Sequence, residues 1–143
     1  MFERILVAVD GSHCAHAATD LAIALAKGHS SLIFCYALDL SVLDAPSVGH
    51  GGRNPMFDQL RAEGQAILTE AGARAERAGV SHELVLQEEE PVRAILDAAA
   101  ARGCGLIVIG SHGRQGLARL FLGSIAEGVL RSSHIPVLAV RSS

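Results

Sequence analysis

Aromatic residues are scarce in this sequence: Phe, Tyr and Trp together make up 3% of its 143 residues, and tryptophan is absent. Half of the residues are nevertheless hydrophobic, which is enough to build a substantial core. Because this core must come mainly from Ala, Val, Leu and Ile, the composition suits helices packed closely on a parallel sheet. The length is that of one domain, and we expect a single domain over residues 1–143.

Other features that the sequence lacks exclude several classes of function and location. There is no run of Lys or Arg and the net charge is −3, so a nucleic-acid surface is not expected. The three cysteines, Cys14, Cys35 and Cys104, form no Cys-x-x-Cys pair, which indicates free thiols in a reducing compartment. The first residues, with acidic Glu3, do not resemble a signal peptide, and no apolar run is long enough to span a bilayer. We therefore expect a cytoplasmic protein.

Short apolar runs alternate with helical patterns along the chain. The runs predict five strands, at residues 4–9, 31–37, 81–87, 106–109 and 136–141. Four helices are predicted between them, from an N-cap at Ser12 to Gly28, from Pro55 to Gly79, from Pro91 to Gly103 and over residues 124–133. The third strand alternates more than the others and is expected at an edge. This alternation favours an α/β fold, a doubly wound parallel sheet with helices on both faces.

Two features interrupt the regular pattern. Residues 38–54 contain Pro46 and several glycines, and a loop of this length inside a compact domain is typically functional or mobile. Gly64 and Gly72 lie inside the second helix, where each costs about 1 kcal/mol relative to Ala. We expect them to allow close approach to a neighbouring element. The acidic residues 88–90, before Pro91, are expected to form a solvated helix start.

A glycine-rich stretch, LIVIGSHGRQGLARLFLGSI, spans residues 106–125. A strand stops at Gly110, Gly113 follows, and Gly123-Ser124 opens a helix. Glycines let main-chain N–H groups approach an anion, and a helix start adds unpaired donors, so this stretch is suited to phosphate. The Ser124 hydroxyl and the counter-charge of Arg114 or Arg119 would assist. In the alternative interpretation, Gly110 is a turn residue and Ser124 is the N-cap of a capping box with the glutamate three residues later; the two roles are compatible.

The glycine pattern is neither of two familiar nucleotide motifs. The chain has no Gly-Lys pair, which a Walker A motif requires, and no G-x-G-x-x-G follows the first strand. Asp10 ends the first strand and Gly110 ends the fourth. If these strands are neighbours, one crevice contains both residues. Asp10 would there take a ribose hydroxyl or help to hold a metal ion; its alternative role is that of a turn residue before Gly11.

The histidines are weaker candidates for functional residues than the glycine-rich stretch. His13 and His16 lie three apart on the first helix, as metal ligands can, but no further ligand at supporting spacing completes a site, so exposed helix residues are favoured. His112 is a candidate general acid or base, although a loop histidine near phosphate is more often a hydrogen-bond donor. The cysteines are expected to be buried small apolar residues.

The segment GSHGRQGLARLFLGSIAEGVLRSSHIPVLAV and the opening ILVAVDGS resemble the universal stress protein family. The nucleotide pattern of that family, G-x-x-G-x9-G-[ST], falls on Gly110, Gly113, Gly123 and Ser124 without a gap, and the resemblance covers the whole chain. It implies a Rossmann-like, adenine nucleotide alpha hydrolase-like fold whose five parallel strands follow the order 3-2-1-4-5. It also implies a homodimer formed partly through residues 136–140.

Members with the intact glycine pattern bind ATP, often with a divalent ion such as Mg or Mn held by the phosphates; ADP and AMP are alternatives. The resemblance implies eleven nucleotide-binding residues. They are Ala8, Val9, Asp10, Tyr36, Gly110, His112, Gly113, Arg114, Gly123, Ser124 and Ile125, with Ala37 in place of Tyr36 if the alignment slips by one. The chain departs from the family at Gly105, where Asp is frequent, and at Gly128, where Lys is frequent.

Phosphoryl transfer needs positioned charge and an oriented nucleophile. The glycine-rich loop contains no lysine, and Asp10 and His112 are the only evident candidates for a base. We therefore expect a nucleotide-dependent regulatory protein of the stress response, with slow hydrolysis at most. One alternative is a genuine ATPase or phosphotransferase. The other is an interaction module with a vestigial nucleotide site, in which residues 38–54 form a lid that binds a partner.

Overall fold

The computed structural model describes residues 2–43, 55–113 and 122–142. Five strands lie within them: β1 (Arg4–Ala8), β2 (Ser31–Ala37), β3 (His82–Gln87), β4 (Leu106–Gly110) and β5 (Val137–Val140). The helices are α1 (His13–Ala26), α2 (Pro55–Arg77), α3 (Pro91–Ala101) and α4 (Ser124–Ser132), and a short 3-10 helix, Leu40–Leu43, follows β2. The predicted alternation of strands and helices is confirmed. Residues 44–54 of the predicted loop and Arg114 and Arg119 lie outside the described residues.

All five strands run parallel, in the order β3-β2-β1-β4-β5. This order and the edge position of β3 are as expected. The central strand β1 pairs with β2 on one side, Val7 opposite Phe34, and with β4 on the other, Val7 opposite Val108. The carboxyl ends of β1 and β4 are therefore neighbours, at the point where the order of the strands reverses.

The helices cover both faces of the sheet. Successive strand residues point to opposite faces. Val7 accordingly packs in a core with α1 and α2, and Leu6 packs in a second core with α3 and α4. Because both faces are buried, the inner strands are continuously apolar rather than alternating. Within the described residues, no helix is both long enough and apolar enough to cross a membrane.

Helices α1 and α3 begin at side-chain caps. The predicted N-cap Ser12 accepts a hydrogen bond at Oγ from the Ala15 N–H, at 3.1 Å. Glu90 caps α3 by accepting from the Val92 and Arg93 N–H groups at 3.2 and 2.7 Å. The acidic helix start is thus also a specific cap, which satisfies donors that would otherwise have no intrahelical partner.

The capping box predicted at Ser124 is wrong. The N-cap of α4 is Gly123, whose backbone is extended at φ −65° and ψ 156°, and no side chain caps this helix. Ser124 is the first helical residue. Glu127 forms an ion pair with Arg131 one turn later, at 2.6 Å, rather than reaching back to the start of the helix.

Several predicted boundaries shift by one residue. β1 ends at Ala8 rather than Val9, β3 begins at His82, and β4 extends to Gly110. α4 ends at Ser132, and β5 is limited to Val137–Val140. In α1, Leu25 shares the helical spacing of the buried alanines but is 42% exposed, and Ile23 is buried instead.

The two glycines inside α2 lie where a neighbour comes close, as expected. A Cβ atom at Gly64 would lie 2.6 Å from the Tyr36 ring, and one at Gly72 would lie 3.1 Å from His82 Nε2. Both distances are shorter than an ordinary carbon contact. Glycine therefore lets α2 pack directly on the side chains of β2 and β3.

Candidate functional site

A cavity of about 670 Å³ opens at the carboxyl ends of β1, β2 and β4. The starts of α3 and α4 complete its wall. Ten of the eleven residues predicted to bind a nucleotide are described, and all ten line this cavity. They are Ala8, Val9, Asp10, Tyr36, Gly110, His112, Gly113, Gly123, Ser124 and Ile125. The alternative residue Ala37 lines it too.

The chemical character of the lining differs between elements. The ends of β1 and β2 and the start of α3 supply mainly apolar residues: Ala8, Cys35, Ala37, Pro91 and Ile95. The polar side chains follow the ends of β1 and β4 or open a helix: Asp10, Ser12, Ser111, His112 and Ser124. A cavity with one apolar and one polar part suits a ligand that joins a flat, largely apolar group to an anionic one.

Asp10 links the two strand ends. Its Oδ1 accepts a hydrogen bond from the Ser12 N–H at 2.8 Å, so the residue closes the turn into α1. Its Oδ2 lies beside the loop after β4, because a Cβ atom at Gly113 would be 3.1 Å from it. One oxygen thus serves the turn while the other lies at the cavity. The turn role and the site role are therefore compatible.

Two of the motif glycines are required by the packing of the protein itself. A Cβ atom at Gly110 would lie 2.7 Å from the main-chain carbon of Cys14, and one at Gly123 would lie 2.9 Å from the Ser111 oxygen. The Gly123 N–H also donates to that oxygen, at 2.7 Å. Gly113 is exposed, and the atom close to its missing side chain belongs to the flexible carboxylate of Asp10.

Ser124 lies at the cavity with its side chain available. The residue is exposed, and within the described part of the chain its hydroxyl makes no hydrogen bond. The first N–H groups of a helix have no intrahelical acceptor, and the helix dipole makes this end positive. The start of α4 therefore offers several donors to an anion in the cavity.

Sequence reasoning missed a cluster around Cys14, in the first turn of α1. Its Sγ lies 3.5 Å from Ser142 Oγ and 3.8 Å from Ser111 Oγ. Burial alone would raise the pKa of this thiol. Hydrogen bonds from the side chain and main chain of Ser142, the main chain of His112 and the side chain of Ser111 outweigh burial and lower the pKa to about 7. No local pattern reveals the cluster, because its members lie 97 and 128 positions from Cys14.

The other two cysteines behave differently. Cys35 lines the cavity, and burial raises the pKa of its thiol to about 12. Burial also raises the pKa of Cys104. All three cysteines are buried and free of disulfides, as expected. Cys35 and Cys104 therefore act as small apolar residues, whereas Cys14 is a polar member of a hydrogen-bonded cluster.

His112 joins this cluster to the cavity. Its Nδ1 lies 3.2 Å from Ser111 Oγ, and its Nε2 is buried without a hydrogen-bond partner among the described residues. In the same part of the chain, no group of three or more His, Cys, Asp or Glu side chains is arranged to hold a metal ion. That finding covers His13 and His16, so the structure adds no third ligand to this pair.

Comparison with known proteins identifies the chain's relatives. Residues 1–141 match the model of the Universal stress protein family. Universal stress protein MJ0531 of Methanocaldococcus jannaschii is 33% identical, over 99% of this chain and 83% of that protein. Universal stress protein YxiE of Bacillus subtilis is also 33% identical, over 99% of this chain and all of that protein.

Solved structures agree with the sequence comparison. A universal stress protein in complex with cAMP is 28% identical with a TM-score of 0.71, and the match covers 99% of this chain and 98% of that one. The Archaeoglobus fulgidus universal stress protein in complex with dAMP is 25% identical with a TM-score of 0.72, over 96% of this chain and 97% of that one. The family model, the curated relatives and the fold concur: this chain belongs to the universal stress protein family.

Proposed function

We propose that this protein is a cytoplasmic, nucleotide-dependent regulator of the stress response that binds an adenine nucleotide, ATP foremost, in the cavity at the ends of β1 and β4. The observation that carries the proposal is the convergence of the ten described motif residues on one cavity. They come from the ends of β1, β2 and β4 and from the start of α4, so the sequence pattern alone did not require them to meet. Two relatives that share the fold hold cAMP and dAMP, which are both adenine nucleotides.

The adenine base would lie at the end of β2. The Val9 N–H donates to the Cys35 oxygen at 2.9 Å, and in the described part of the chain this is the last main-chain bond between β1 and β2. The main-chain groups of Ala37 point to the same side as those of Cys35, because alternate strand residues share a direction. They therefore remain available for the edge of a base, and the apolar side chains of Ala8 and Pro91 line the same cavity.

The phosphates would lie at the start of α4. Gly113, the Ser124 hydroxyl and the first N–H groups of the helix supply donors without a lysine. The Asp10 carboxylate would accept from a ribose hydroxyl or help to hold a Mg or Mn ion that the phosphates bind. When bound, such an ion would offset phosphate charge in a site whose described side chains include one carboxylate, Asp10.

The first experiment identifies a bound ligand directly. Purified protein is denatured without added ligand, and any released nucleotide is identified by mass spectrometry. Calorimetric titrations with ATP, ADP, AMP and cAMP, each with and without Mg²⁺, then establish the preferred ligand. Absence of binding by all four at millimolar concentration would refute the proposal.

A matched pair of variants locates the site. Ser124→Ala removes an exposed hydroxyl without disturbing a cap, since Gly123 is the cap. We expect about ten- to hundredfold weaker ATP binding, the effect of one lost hydrogen bond to a charged group. Ser132→Ala, an exposed serine at the far end of the same helix, should bind ATP as the wild type does. Equal affinities in both variants would exclude Ser124 from the site.

We propose further that two copies associate through β5. This strand forms one edge of the sheet, carries no charged residue, and exposes Leu138 by 37%. An uncharged edge strand can pair with another strand. The resemblance to the family suggested the same segment, residues 136–140.

Slow ATP hydrolysis is the second candidate function. It is favoured by the position of Asp10 Oδ2 beside Gly113, where a carboxylate could orient water near the phosphates. Turnover that Asp10→Asn abolishes while ATP binding persists would establish an enzyme. Turnover no greater than that of a buffer control would exclude one.

A further inference from the structure

The hydrogen bonds around Cys14 have a definite direction. A thiol has one proton, and the geometry makes Cys14 Sγ the donor to Ser142 Oγ at 3.5 Å. Ser111 Oγ approaches the same sulfur to 3.8 Å. With the thiol proton directed at Ser142, the sulfur accepts from Ser111, whose hydroxyl is the donor. An ionised sulfur has no proton to give and accepts from both serines, so Ser111 remains the donor.

The direction of these hydrogen bonds determines which ring nitrogen of His112 carries a proton. The Ser111 hydroxyl also has a single proton, and that proton points at Cys14. Towards His112 Nδ1, 3.2 Å away, Ser111 Oγ is therefore an acceptor, so Nδ1 must carry a hydrogen. In a neutral imidazole the proton on Nδ1 leaves Nε2 with a bare lone pair.

The surroundings of Nε2 agree with this assignment. Nε2 is buried, and the described residues give it no partner. A buried N–H without an acceptor is rarer in proteins than a buried acceptor without a donor. The bare lone pair is therefore the less costly state for an unpaired Nε2.

We propose that Ser111 and Cys14 are positioning residues that hold His112 as its Nδ1–H tautomer, so that Nε2 of the neutral ring is an acceptor and has no N–H to donate to phosphate. This revises the expectation that His112 is a phosphate donor. That role falls to the Ser124 hydroxyl and to the start of α4. The identity of the ligand rests on the proposed function; the assignment of the tautomer does not.

Nuclear magnetic resonance tests the tautomer without any ligand. Long-range ¹H–¹⁵N correlation on ¹⁵N-labelled protein at about pH 8, where an ordinary histidine is neutral, shows which ring nitrogen carries the proton. His112→Asn identifies the signals of this ring. We expect a protonated Nδ1 in the wild type. A protonated Nε2 would overturn the proposal.

Two substitutions at Cys14 separate positioning from simple packing. Cys14→Ser keeps a group that accepts from Ser111 and donates to Ser142, so we expect the Nδ1–H tautomer to persist. Cys14→Ala removes the acceptor and frees the Ser111 hydroxyl to donate to Nδ1, so the proton should move to Nε2. Ser111→Ala should give a mixture of tautomers. The same tautomer in all three variants would refute a positioning role, and circular dichroism confirms that each variant is folded.

The consequence for binding is tested with AMP and adenosine, which differ by the phosphate. The amide introduced by His112→Asn can still donate an N–H to Ser111 Oγ, but it has no atom in the position of Nε2. We expect His112→Asn to change the affinities for both ligands by the same factor, within about twofold. A loss of about tenfold or more confined to AMP would show that Nε2 donates to phosphate and would overturn the proposal. If neither ligand binds the wild type, the proposed function fails, and the spectra still decide the tautomer.

Discussion

Gly110, at the end of β4, lies so close to Cys14 that a Cβ atom on the glycine would be 2.7 Å from the Cβ of the cysteine. It would also be 2.9 Å from the Ala15 main-chain nitrogen. Main-chain atoms in the first turn of α1 cannot move aside as a flexible side chain can. The glycine that opens the nucleotide motif is therefore needed for folding as well as for any ligand.

Gly110→Ala should lower the free energy of unfolding by about 1–3 kcal/mol, the usual cost of overpacking a close contact. Urea denaturation measures this change. Gly105→Ala is the control, since a Cβ atom there meets only the Phe2 ring, at 3.4 Å. If the two variants unfold at the same urea concentration, the contact with α1 does not require glycine.

Gly64→Ala should weaken ATP binding, because the new methyl group would press on the Tyr36 ring, 2.6 Å away, and Tyr36 lines the cavity. Stability should change little, since alanine gains about 1 kcal/mol of helix propensity against a strain of similar size. Calorimetry measures the affinity. The control is Gly72→Ala in the same helix. Its new methyl group would contact His82 and Leu84, which do not line the cavity, so this variant should bind ATP normally.

Leu138→Lys should convert a dimer into a monomer, because a buried lysine without a partner would oppose pairing of the β5 edges. Light scattering after gel filtration measures the mass. Leu84→Lys is a matched control at the other edge of the sheet, where Leu84 is 40% exposed. We expect it to leave the mass unchanged. A monomeric wild type, or dissociation by both variants, would contradict association through β5.

Cys14 should ionise near pH 7, well before the other cysteines. Thiolate absorbance near 240 nm measures this in a Cys35→Ala, Cys104→Ala background. Because the folded-state pKa of about 7 lies below the ordinary thiol pKa of 9.0, ionised Cys14 stabilises the fold above about pH 9. This contribution is lost as the pH falls from 9 towards 7. Cys14→Ser should flatten the pH dependence of stability in this window.

The pKa of Cys35 is shifted in the opposite direction to that of Cys14. Burial raises the pKa of its thiol to about 12, so its neutral form contributes fully below pH 9, and this contribution is lost as the pH rises towards 12. A thiolate that appears near pH 7 when Cys14 is replaced and Cys35 is kept would contradict these assignments.

The elements and their order could be predicted because apolar runs and glycine stops repeat along the chain. Ser12 was predicted as a cap because a serine before a helical pattern usually is one. The same rule wrongly predicted Ser124 as a cap. The extended backbone of a cap belongs to Gly123, and Ser124 is the first residue of the helix. Residue type identifies candidates for a cap, but backbone angles decide between adjacent ones.

The cavity lining could be predicted from the glycine spacing and the family resemblance, whereas the cluster around Cys14 could not. Ser111 and Ser142 are ordinary serines in the sequence, and they reach Cys14 only because the segments that follow β4 and β5 converge on the start of α1. Nor does the sequence indicate that Gly110 is required by packing. Both features depend on distances between segments that lie about a hundred positions apart.

The placement of β1 between β2 and β4 has a consequence for how the protein is made. During synthesis, β1, β2 and β3 leave the ribosome together with α1, α2 and α3, and this part can begin to form a sheet while β4 is still absent. The edge of β1 that β4 later occupies stays open over this interval. Until β4 pairs with β1 and α4 forms, only the part of the cavity wall that the earlier strands and helices supply is present. A ligand that requires both halves would therefore act on the last step of folding, and stabilise only chains that have completed it.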